Sequence, residues 1–169
     1  MLARILALLH RFAEAVAALL LAVIFVAFII QIVLRYVFNW PVGWTTELSL
    51  AAWLWLVLWG AAFVLKDDEE IRIDLVTQRA GPRLRRVLVG TGAAATLVLF
   101  AMALPASWDY VAFMKVEKSS YLKVPMNWMY AIYIVFAVAV VARCLRTVGR
   151  ALVGRAPAPP DPTATRSAL

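Results

Sequence analysis

Few residues in this sequence could do chemistry. Glu14 precedes a long apolar run, and a carboxylate in the first helix of a small four-helix exporter can couple proton entry to efflux. Arg11 lies three positions before it, however, so Glu14 can also rest at the membrane interface near the start of a helix, where the dipole favours an anion. Asp67, Asp68, Glu69 and Glu70 form an acidic run. Four consecutive carboxylates point in different directions and cannot converge on a metal ion unaided. Arg35 and Glu47 stand on either side of a short segment and could pair with each other or present charge to a partner. Thr45, Thr46 and Glu47 equally suit the first turn of a helix, where hydroxyl and carboxylate groups meet free amides. One cysteine, Cys144, and one histidine, His10, exclude an intrachain disulfide, a two-cysteine redox shuttle and a haem with two histidine ligands. The expected chain is not an enzyme and holds no cofactor or metal.

The elements that position these residues follow from hydropathy. Of 169 residues 64% are apolar, against 17 basic and 10 acidic residues. Soluble domains are nearer half apolar and a quarter charged. The apolar residues fall in four blocks, about 15–34, 48–65, 87–106 and 124–142, each close to the roughly 20 residues a helix needs to cross 30 Å of hydrocarbon. Backbone amides in lipid must bond within their own segment, so the fold class is an all-α integral membrane protein with four transmembrane helices over residues 13–146. The first block is too long for a signal-peptide core and lacks a cleavage site after it. With both termini cytoplasmic, thirteen Lys and Arg lie inside and four outside (Arg35, Lys115, Lys118 and Lys123). The net charge of +7 is therefore topological and does not point to nucleic acid. Trp40, Trp44, Trp108 and Trp128 with Tyr36, Tyr110, Tyr121 and Tyr130 cluster at the expected outer ends, where an amphipathic ring suits the interface.

Outside the spans, residues 1–12 read as a cytoplasmic helix lying on the interface or extending the first span, with Leu2, Ile5, Leu6 and Leu9 at helical spacing. A short interfacial segment is expected from Ile71 to Leu84. Residues 147–169 read as a cytoplasmic tail, disordered from about 156, where four prolines lie among Ala, Thr and Ser. Within the spans almost no polar or ionisable group is expected near mid-depth. Gln31, Ser49 and Asn127 sit near the outer ends, and Thr91 and Thr96 can bond back to their own helix among small residues. Gly90, Ala94, Ala51, Ala52 and Gly60 form small faces suited to close helix packing, within the chain or against a partner. Trp53, Trp55 and Trp59 read as bulk facing lipid or a partner. A wall without a pathway points to an accessory subunit; the alternative is a stand-alone small multidrug-type exporter using Glu14.

Gln31, Arg35, Tyr36, Val37, Phe38 and Asn39, followed by Trp44, Glu47 and Leu48, resemble the outer-turn signature of the small membrane subunit of tripartite ATP-independent periplasmic (TRAP) transporters, the DctQ family. Gly60, Ala61, Ala62 and Lys66, then Ile71 to Leu75, and Ser119, Ser120, Leu122, Val124, Pro125 and Tyr130 continue the resemblance in the same order. The family often carries a histidine where this chain has Glu70. The resemblance implies a scaffold in a bacterial inner membrane, partnered by a large subunit that holds the sodium and substrate sites and by a periplasmic binding protein. It also implies symport of an organic acid. Arg35, Trp40, Trp44, Glu47, Gly60, Gly90 and Ala94 are the expected partner contacts. With both termini inside, a fluorescent protein fused to the C-terminus should mature in the cytoplasm and alkaline phosphatase fused after residue 40 should be active; the reverse pattern would overturn the orientation.

Overall fold

The computed structural model describes residues 2–40, 42–65 and 81–153. Four helices long and apolar enough to cross a membrane account for nearly all of them. Helix α1 runs Leu2–Tyr36, α2 runs Trp44–Trp59 and continues as a π-helical segment Gly60–Val64, α3 runs Pro82–Phe113, and α4 runs Met126–Leu152. Residues 2–12 are continuous with the first span in a single helix. The acidic run Asp67 to Glu70, the expected interfacial segment up to residue 80 and the tail from 154 lie outside the described residues.

Helix α3 passes the expected boundary at 106 and carries Pro105 in its interior. Hydropathy falls at Ser107, Trp108 and Asp109, but a helix leaving hydrocarbon keeps its backbone bonds internal through the interface, so composition and helix do not end together. Helix α4 begins two residues later than the apolar block: proline holds the residue before it, Val124, out of the helical region, and Pro125 lies opposite Lys118 in an isolated antiparallel bridge.

The chain divides into two compact units, Met1–Leu65 with Met102–Ala139, and Lys66–Ala101 with Val140–Leu169. In the first unit α1 packs along α2 and its π-helical extension. On α1 the positions 10, 13, 17, 20, 24, 27, 31 and 34 are all buried or half-buried, a repeat of 3.5 residues that keeps one seam against a neighbouring helix. Ala13 and Ala27 are the most buried of them, and Ala52 and Ala62 are their counterparts in α2 and its extension. Lipid supplies no hydrophobic drive to join helices, so small side chains that let backbones approach are the means of association.

Two hydrogen bonds mark the ends of this antiparallel pair. Gln31 Nε2 donates to Thr46 Oγ1 at 3.2 Å, and Trp59 Nε1 donates to the Ala13 carbonyl at 3.1 Å. Trp59 is thus turned onto α1, its ring 4.6 Å from that of Phe63 and tilted 55° to it, where lipid or a partner chain was the expected neighbour. In the second unit the close approach is between α3 and α4, where a Cβ on Gly90 would stand 3.2 Å from the Ala151 Cβ. Ala27→Leu, which overpacks a site only 2% exposed, should lower stability in mild detergent by about 1–3 kcal/mol, whereas Leu19→Ala at a site 65% exposed should change it by less than about 0.5 kcal/mol. Equal thermal shifts for the two variants would contradict the seam.

Candidate functional site

The described polar groups converge where α1 ends, α2 begins and the loop 114–125 joins α3 to α4. Helix α1 closes with Asn39 in the left-handed region (φ 50°), and the Trp40 N–H reaches back to the Leu34 carbonyl at 2.9 Å. Asparagine tolerates that conformation better than most residues and here does what glycine usually does at a helix end. Helix α2 starts from Gly43 without any side-chain cap. Thr45 is fully buried and donates to the Val42 carbonyl at 3.4 Å, and Glu47 does not turn back on its own helix.

The Glu47 carboxylate instead reaches across to the loop. Ser119 Oγ donates to Oε2 at 2.6 Å, the Leu122 N–H donates to Oε2 at 3.0 Å, and the Tyr121 N–H is shared between both oxygens at 3.0 and 3.1 Å. Three donors on one carboxylate form a charge-assisted set, stronger than neutral pairs of the same length. Ser119 is only 4% exposed. The loop closes on itself beneath this clip, with Ser119 N–H to the Val124 carbonyl and Met126 N–H to the Glu117 carbonyl, both at 2.9 Å. Lys123 adopts a left-handed conformation (φ 55°), a strain of about 1–2 kcal/mol that such closure must hold. The Tyr121 ring lies so close over Gly43 that a Cβ there would overlap it. Gly43 is required for that approach and not for its backbone angles, which are helical.

Of the expected contacts, Glu47 is at the centre of this clip, half-buried and engaged within the chain. Arg35 does not pair with it. The guanidinium stands 6.0 Å from the centre of its neighbour's ring, Tyr36, exposed in the last turn of α1 where the helix dipole favours a cation. Trp40 is exposed beside it and Trp44 is half-buried at the start of α2. Gly60 opens the π-helical segment and has nothing within 4 Å of a Cβ placed there, while Gly90 is against Ala151 and Ala94 is half-buried on the same helix. Glu14 is largely exposed, and His10 Nε2 lies 3.2 Å from its Oε1 one helical turn away.

Sequence reasoning did not single out Gly43, Lys123 or the pairing of Glu47 with Ser119, Tyr121 and Leu122. The one available signal was a glycine one residue before a helix, in a segment too short for slack. A second feature of this unit is an apolar cleft of about 460 Å³ lined by Leu54, Leu58, Ala103, Ala106, Ser107, Val111 and three tyrosines. It contains no carboxylate, amine or imidazole, so it offers packing surface and no acid–base or ion chemistry.

Residues 24–154 match the family described as tripartite ATP-independent periplasmic transporters, DctQ component. Over 80 residues, 47% of this chain, the sequence is 31% identical to the C4-dicarboxylate TRAP transporter small permease protein DctQ of Vibrio cholerae serotype O1. The matched stretch spans about a third of that relative, 34% of its length. Glu47, Ser119, Tyr121 and Leu122 all lie within the family match. A family match over most of the chain, together with four helices able to span a membrane, shows that the chain belongs to the DctQ component family of TRAP transporters, as a multi-pass inner-membrane transport subunit and not an enzyme.

Proposed function

We propose that this subunit is a static scaffold that associates in the membrane with the large transport subunit, for sodium-coupled, binding-protein-dependent uptake of an organic acid. Sodium and substrate are bound by the partner chains. Both termini face the cytoplasm, and the clip end faces the periplasm. The orientation rests on the thirteen-to-four split of basic residues, and the organic-acid class draws support from the dicarboxylate in the name of the Vibrio relative.

The observation that carries the scaffold is where the hydroxyls of Thr91, Thr96, Ser107 and Thr147 point; Ser49 Oγ and Asn127 Oδ1, which are buried without a partner, lie in the first two turns of their helices. Thr91 donates to the Val87 and Leu88 carbonyls, Thr96 to Gly92, Ser107 to Ala103, and Thr147 to Arg143, all within 3.1 Å. Each is consumed by its own helix. A conducting subunit needs such groups, or ionisable ones, aimed at a pathway near mid-depth. These surfaces are fit to pack against lipid or another protein. A frame of this kind widens the fixed part against which a mobile transport domain slides. Among the expected contacts Gly60 suits the partner, since its side is open, whereas Gly90 is used against Ala151.

Purified from its host in mild detergent, the tagged chain should carry a stoichiometric large multispan subunit, and Glu14→Gln should leave uptake by that complex unchanged. Recovery as a monomer or homodimer, with efflux abolished by Glu14→Gln, would replace the scaffold with a stand-alone exporter.

A further inference from the structure

We infer that Glu47 is a positioning residue for docking of the periplasmic binding protein: its carboxylate touches no partner but holds the loop 114–125 as a fixed basic surface. The inference rests on the proposed orientation, in which the clip end faces the periplasm. Lys115, Lys118 and Lys123 are all exposed on this loop, with Glu117 as its one exposed acid; Arg35 adds a cation at the end of α1, and Asp109 an anion one turn before the end of α3. The balance is basic, so the complementary partner surface is acidic.

The geometry explains why a carboxylate is built into a basic face at all. Placed for attraction, it would weaken the field that draws an acidic partner. Its oxygens are instead occupied by Ser119 Oγ and by the Tyr121 and Leu122 amides, 72 to 75 positions further along the chain. Those bonds tie the loop to the first turn of α2, and the seat of Tyr121 on Gly43 fixes the same pair of segments a second time. The lysines are consequently presented from a loop already ordered before encounter. Without the clip the loop samples other conformations, and docking must select the competent one, which lowers the apparent affinity by its population.

Positioning and charge make opposite predictions, which allows a direct test. The probe is the TRAP binding protein of the same host, titrated onto the two-subunit complex immobilised in nanodiscs. If Glu47 positions the loop, Glu47→Gln and Glu47→Asp should both weaken binding, on the order of five-fold, because Asp retains the charge but withdraws the carboxylate by about 1.5 Å. Ser119→Ala, which removes one donor and leaves both amides, should weaken it less. If Glu47 acts as charge alone, Asp should bind as wild type and Gln should bind more tightly, and that pattern would overturn the inference. Replacing Lys115, Lys118 and Lys123 together by Ala should weaken binding and flatten its salt dependence. Wild-type affinity in that triple variant would overturn the docking reading itself, whatever Glu47 does. Recovery of the large subunit in normal yield with each variant shows that the fold is intact.

Discussion

The clip end of the molecule depends on the three donors gathered by the carboxylate of Glu47, which tie the first turn of α2 to a loop more than seventy residues further along the chain. The loop from α3 to α4 must turn within twelve residues at the edge of the bilayer, and it exposes amides that no helix can use. Glu47 takes two of them and the Ser119 hydroxyl. The same contact brings the loop over the start of α2, where Gly43 leaves room for the Tyr121 ring. Helix ends, loop conformation and the placement of the lysines all follow from that one acceptor.

Within the spans, Thr91, Thr96 and Ser107 turn onto carbonyls one turn back and the Trp59 indole finds the Ala13 carbonyl, while Ser49 Oγ and Asn127 Oδ1 are buried without a hydrogen-bond partner. What remains outside is apolar and rich in small residues. Such helices cohere by close approach, through Ala13, Ala27 and Ala52 in one unit and Gly90 against Ala151 in the other. The proposed scaffold role asks for such surfaces, which can pack against lipid or another protein. The π-helical turn at Gly60 adds one residue to the last part of α2 and leaves that glycine uncovered. Segments of this kind are often found where function needs a departure from regular packing.

The four spans were legible because hydropathy and length in a bilayer leave little choice, and the family was legible from the order of short motifs around the turns. The helix ends were less so. The apolar block that closes at 106 suggested a stop that the backbone does not make, and α4 begins two residues after its own block opens. The partners of Glu47 were not legible at all. They lie more than seventy residues away, two are backbone amides that any sequence supplies, and local rules for helix starts favoured a cap that Gly43 and Thr45 leave unused. Trp59 was misplaced for a related reason: helical spacing shows which residues share a face but not which neighbour that face meets.

The most direct measurement of the central claim is amide hydrogen exchange at Tyr121 and Leu122 in the wild-type complex and in Glu47→Gln. If the carboxylate holds the loop, both amides are protected in the wild type and exchange at least ten-fold faster in the variant, with the middle of α2 unchanged, at roughly the threshold that distinguishes loss of a hydrogen bond from scatter. Equal exchange in the two proteins would show that the loop is ordered without Glu47, and the account of this end of the molecule would fail.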